Sequence, residues 1–186
     1  TLNTPGYREG AAQFTDPEGN LWIYGGAAGG KTYSDLWFFN IKTDEWTWVS
    51  GTADIDAQPV FGTFRKGTFE TYPGARFESF NWFDPHNGKL WLYGGIAYGS
   101  IGVGWRNDLW SYEIGTGIWT WMSGSSQMNV QAFGSNFSSP QNTPGARNLG
   151  LSWYVYNEID PFGSFPSYPV PPRPCAKLYL AFGFQA

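Results

Sequence analysis

The stretch Leu21-Trp22-Ile23-Tyr24-Gly25-Gly26 returns almost unchanged as Leu90-Trp91-Leu92-Tyr93-Gly94-Gly95, and its surroundings return with it. Ahead of the two copies stand Pro5-Gly6-Tyr7-Arg8 and Pro73-Gly74-Ala75-Arg76. Behind them come Asp35-Leu36-Trp37 and Asp108-Leu109-Trp110, then WTWVSG from Trp46 and WTWMSG from Trp119. A third start, Pro144-Gly145-Ala146-Arg147, puts the Pro-Gly steps at 5, 73 and 144, which are 68 and 71 residues apart. Units of this size bury their apolar residues against copies of themselves, so the chain is a repeat protein of stacked blades or solenoid turns.

Each unit reads as four short antiparallel strands. In the first, Gly10 to Phe14 leads into Asp16-Pro17-Glu18-Gly19-Asn20, a tight reversal. Asn20 to Tyr24 follows, apolar on both faces and expected to be covered on both sides. The glycine pair permits positive φ and close backbone approach, and no helix start behind it suggests a phosphate loop. After a loop from Ala27 to Ser34, Asp35 to Asn40 forms the third strand and Trp46 to Val49 the fourth, with Trp46 and Trp48 on one face. The second unit repeats the plan around the turn Asp84 to Gly88, but its loop from Ile96 to Asn107 is four residues longer and apolar, with Tyr98, Ile101, Val103 and Trp105. That loop either packs on a neighbouring unit or is a contact surface.

The units divide the chain into a first blade, 1–51; a connector, 52–72; a second blade, 73–124; a connector, 125–143; and a partial third blade, 144–186. Phe61-Gly62 and Phe133-Gly134 recur in the connectors, which suggests anchoring over a blade edge, and connectors of this length are candidates for a partner-facing surface. In the third unit the hairpin turn is replaced by the proline-rich stretch 157–176, which favours an extended excursion between a strand at Trp153 to Tyr156 and one at Leu178 to Phe182.

The remaining composition mostly excludes. Eleven Trp residues sit largely in the repeated motifs, where packing is the expected role. A net charge of −4 without a Lys/Arg stripe argues against nucleic acid. No apolar run is long enough to span a bilayer, and Thr1-Leu2-Asn3-Thr4 resembles no signal sequence, so the chain is expected to be processed or excerpted. Cys175 is the single cysteine, which rules out an intrachain disulfide and a thiolate cluster; a small apolar role is expected. Asn136-Phe137-Ser138 is a glycosylation sequon, and Asn136 is expected to carry a glycan in eukaryotic secreted material.

A hydrophobic strand running into Gly-Gly, an Asp-Leu-Trp strand and a Trp-led fourth strand together resemble kelch repeats. More narrowly, they resemble the kelch-like repeats of secreted or surface proteins related to the central domain of galactose oxidase. The resemblance implies an all-β fold of four-stranded antiparallel propeller blades, two full blades plus a partial third. It further implies that Gly25, Gly26, Gly94, Gly95, Trp46 and Trp119 are residues of the fold, with Trp48 and Trp121 in the same structural repeat. Gly183-Phe184 departs from the Gly-Gly pattern.

Catalysis finds little footing. His86, the one histidine, lies in a turn and cannot build a two-histidine copper site, so no metal or cofactor is expected. The acidic pairs Asp44-Glu45, Asp54 with Asp56, and Glu158 with Asp160 fall in turns and connectors, where solvated carboxylates are the rule. The expectation is therefore a non-catalytic extracellular or cell-surface module that binds protein, either copies of itself or adjoining blades, in a larger surface or filamentous assembly. The alternative is a carbohydrate-binding module using Tyr98 or Trp105, and a weaker one is a fragment of a secreted oxidase.

Overall fold

The computed structural model describes residues 3–99, 102–130 and 144–148, with the backbone of the strands Leu151–Val155, Lys177–Ala181 and Phe184–Gln185. Among the described residues every regular element is a β-strand, and none is a helix that could cross a membrane. The strands of the first unit are β1 (Ala12–Thr15), β2 (Leu21–Tyr24), β3 (Ala27–Ala28), β4 (Lys31–Thr32), β5 (Leu36–Asn40) and β6 (Glu45–Ser50). Those of the second are β7 (Phe80–Asp84), β8 (Lys89–Tyr93), β9 (Ile96–Gly99), β10 (Gly102–Trp105), β11 (Leu109–Glu113) and β12 (Ile118–Ser123). The third unit contributes β13 (Arg147–Asn148), β14 (Leu151–Val155), β15 (Lys177–Ala181) and β16 (Phe184–Gln185).

Two four-stranded antiparallel sheets result, ordered β1-β2-β5-β6 and β7-β8-β11-β12. The two sheets even share an irregularity, a register shift between Leu36 and Trp37 and again between Leu109 and Trp110. In the third unit β14 pairs with β15 from Leu151↔Ala181 to Val155↔Lys177, and β13 pairs with β16. The proline-rich stretch 157–176, Asn136, Phe133 and Cys175 lie outside the described residues. The loops expected at 27–34 and 96–107 are instead small hairpins, β3-β4 and β9-β10. Gly29 and Gly30 turn the first, at φ 57 and 76, and strands of two residues are too short for alternation to reveal.

The core lies between the first and second sheets. Strand β2 sends Trp22 and Tyr24 toward the second sheet, and β1 adds Ala12 and Phe14; all four are buried. Leu90, Leu92, Tyr112 and Trp119 meet them from the other side, each no more than 1% exposed. Tyr24 lies edge-on to Trp119 with ring centroids 5.1 Å apart, and Trp22 lies 6.3 Å from Tyr112. Burying one such side chain contributes about 1.5–3 kcal/mol, so this interface is the main reason that neither sheet stands alone. The first strand of the second sheet, β7, lies beside both β1 and β14, and the four-stranded antiparallel sheets are consistent with propeller blades.

Candidate interaction surface

The repeated motifs meet at one junction in each of the first two units. Arg76 Nη1 and Nη2 each donate to Asp108 at 2.8 Å, and the pair is 1% and 0% exposed. Trp110 Nε1 donates to the same carboxylate at 2.9 Å, while Arg76 also reaches the carbonyls of Gly94 and Pro73. The first unit repeats the arrangement with Arg8, Asp35, Trp37, Gly25 and Pro5. The shared register shift next to Leu36 and Leu109 places each indole beside the aspartate two residues earlier. Burial alone would lower the pKa of Arg76, but the adjacent Asp108 outweighs it and the guanidinium is held charged.

The same residues stitch each unit to the next. Gly26 N–H donates to Arg76 C=O at 2.9 Å, and Gly95 N–H to Arg147 C=O at 2.9 Å. Tyr24 Oη donates to Gly74 C=O at 2.9 Å, and Tyr93 Oη reaches the carbonyls of Pro144 and Gly145. Burial raises the pKa of both phenols, that of Tyr93 to about 12. The glycine pair is a matter of space as much as of φ. A Cβ on Gly94 would stand 2.6 Å from Arg147 O, and one on Gly25 would collide with Arg76 O.

One face has no such neighbour among the described residues. By register Leu21, Ile23, Phe39 and Trp46 of the first sheet correspond to Leu90, Leu92, Tyr112 and Trp119 of the second. The second set is fully buried beneath the first sheet, whereas all four of the first set are half-buried. Strand β2, expected to be covered on both sides, is therefore covered on one. Trp48, one of the Trp residues assigned to the structural repeat, is 47% exposed and so packs on one side only. Its counterpart Trp121 is half-buried because the connector lies on it: Phe61 and Phe64 approach the indole edge-on, with centroids 4.9 and 5.1 Å away. Tyr7, at the place of the buried Ala75, is 83% exposed.

No protein-family model matches the chain. Over 121 residues it is 28% identical to Mei4-dependent protein 6 of Schizosaccharomyces pombe (strain 972 / ATCC 24843), an alignment that takes in 62% of this chain. The chain spans only 15% of the length of that curated relative.

The other candidate residues fall elsewhere. Trp105 is half-buried and its Nε1 donates to Asn148 at 2.9 Å, so the β9-β10 hairpin is tied to the third unit. Tyr98 is half-buried, and its carbonyl accepts from Gln58 at 2.8 Å. Asp56 bonds Thr32 N–H at 2.9 Å and the Thr32 hydroxyl, bracing β4. Asp54 accepts from Thr52, Asp44 is exposed in a turn and Glu45 is exposed at the start of β6; Glu158 and Asp160 lie outside the described residues. His86 stays in the exposed turn, its backbone N–H on Asp84. Among the described residues no His, Cys, Asp and Glu side chains cluster as metal ligands. Two shallow grooves are present, one of about 470 Å³ beside Asn3, Thr4 and 44–47, the other of about 400 Å³ between the turns near Asp16, Pro85 and Glu113.

Proposed function

We propose that this chain is a run of kelch-type propeller blades serving as a non-catalytic interaction or structural module, extracellular or at the cell surface, within a larger assembly. The observation that carries this reading is the outer face of the first sheet. Leu21, Ile23, Phe39 and Trp46 are half-buried there, while the matching face of the second sheet is buried by a neighbouring sheet. Contiguous apolar surface of this kind marks a contact site, and here its chemistry equals that of an interface already formed inside the chain. The partner that fits is another blade, from an adjoining part of a longer polypeptide or from a second copy. The far greater length of the fission-yeast relative supports a working particle larger than these residues.

Sedimentation of the isolated chain over a range of concentrations tests the reading. Reversible association is expected; a stable particle that stays at 20.8 kDa throughout would count against it. The carbohydrate alternative is less well supported, because Tyr98 and Trp105 are both half-buried and the Trp105 indole is committed to Asn148.

A further inference from the structure

The connector that follows the first sheet does more than link the sheets. Between Arg65 and Thr68 it runs along the outer edge of β12: Arg65 N–H donates to Trp121 C=O at 2.9 Å, and Thr68 bridges to Trp119 in antiparallel fashion. Thr71 Oγ1 donates to Trp119 C=O, and Arg65 Nε reaches Met122 C=O at 3.3 Å. Phe61 and Phe64 close over the Trp121 indole, whose Nε1 is turned onto Ser123 C=O at 2.8 Å. Gly67 is required by the close approach, since a Cβ there would stand 2.5 Å from Trp119 O and collide with Thr120 Oγ1. The segment is in effect a short added strand with an aromatic clamp.

Among the described residues no such segment caps the same edge of strand β6. Trp48 Nε1 is turned onto Ser50 C=O at 2.7 Å, as Trp121 is onto Ser123, and the ring stacks on Trp37 with its outer side in solvent. Asn3, two residues ahead of its Pro-Gly step, corresponds to Thr71 and makes the corresponding bond, Nδ2 to Trp46 C=O at 2.9 Å. One hydrogen bond of the pattern is thus in place, and the strand and clamp that go with it are not among the described residues. The two edges also differ in charge. Where the turn residue Gly117 leads into Ile118, the first residue of β12, Asp44 leads into Glu45, the first residue of β6, and both acidic residues are exposed. In the second unit the connector turns at Phe69-Glu70, directly after Thr68 bridges to Trp119, and Thr71 N–H closes that turn on Thr68 C=O.

We infer that the β6 edge is a docking site for an extended polypeptide segment of connector chemistry. The segment carries two Phe three residues apart to clamp Trp48, a Gly opposite Thr47, and a Lys or Arg at the place of Glu70 to meet Asp44 and Glu45. This deepens the interaction-module reading and rests on it, but concerns the sheet edge rather than the sheet face.

The probe is a synthetic peptide spanning residues 59–72 with the substitution Glu70→Lys, titrated into the full chain by calorimetry. Saturable one-to-one binding is expected, at least tenfold weaker for Trp48→Ala and at least threefold weaker for the peptide that keeps Glu70. Slowed amide exchange in β6 on binding is the second readout. Trp48 is half exposed, so Trp48→Ala should leave the circular dichroism unchanged. No saturable binding up to millimolar peptide, or binding indifferent to Trp48→Ala, would overturn the proposal. Either result is separate from sedimentation: a chain that self-associates but ignores the peptide keeps the sheet-face reading and loses this one.

Discussion

Removing the Asp108 carboxylate tests the junction at its most buried point. That side chain accepts two bonds from Arg76 at 2.8 Å and one from Trp110 at 2.9 Å, and neither ion is more than 1% exposed. In Asp108→Ala the guanidinium keeps only the carbonyls of Gly94 and Pro73 and cannot reach water, and breaking a buried pair in this way costs about 3–5 kcal/mol. Against the usual total of roughly 5–15 kcal/mol for a domain, that is a large fraction. In the first unit the side chains of Arg8 and Asp35 are 7% and 12% exposed, so water relieves part of the loss and Asp35→Ala should cost about 1–3 kcal/mol. The double variant Arg76→Met with Asp108→Val should be less harmed than Asp108→Ala alone, because no stranded charge remains. Urea unfolding monitored by tryptophan fluorescence measures all three. An Asp108→Ala loss below about 1 kcal/mol, or equal losses for Asp108→Ala and Asp35→Ala, would refute the argument that burial sets the strength of this junction.

Three further outcomes follow from the same geometry. Trp119→Ala should cost about 3–5 kcal/mol and Trp48→Ala less than about 1, in the same urea assay, although both occupy WTW motifs. Gly94→Ala, whose new methyl meets Arg147 O, should lower the melting temperature far more than Gly29→Ala, which pays for its positive φ of 57 but enters open space. The raised phenols give a pH dependence at the alkaline end: Tyr24 and Tyr93 hold their protons more tightly folded than unfolded, so their contribution is complete below pH about 10 and is lost as pH climbs from there toward 12. For Tyr93 this amounts to about 2–3 kcal/mol, read from denaturant midpoints between pH 9 and 12.

Much of the fold was legible in the sequence because its signals are local. The Asp-Pro and Gly-Asn turns, the β-rich runs and the duplicated Gly-Gly mark the four strands of each sheet, and all of them depend on residues a few positions apart. The paired Phe61 also pointed correctly to an anchor over a sheet edge. What escaped was set by distance or by neighbours. Arg8 and Arg76 recur with Asp35 and Asp108, and this joint recurrence was the available signal for the buried junction; strand patterning assigned no role to a charge. The exposure of Trp48 could not be read from its motif at all, since WTW is written identically in both units and only the presence of a covering segment separates Trp48 from Trp121. Trp105 illustrates the same point in reverse: an aromatic loop residue that suggested a ligand is held by Asn148 of the next unit.

The central claim is that the half-exposed face and edge of the first sheet are covered in the working particle. Hydroxyl-radical footprinting of native material against the isolated chain measures this residue by residue. Phe39, Trp46 and Trp48 should be protected from oxidation in the native particle and oxidised in the isolated chain, while Phe69, 84% exposed on the connector, serves as the internal reference. Equal oxidation of Phe39, Trp46 and Trp48 in both preparations would contradict the account.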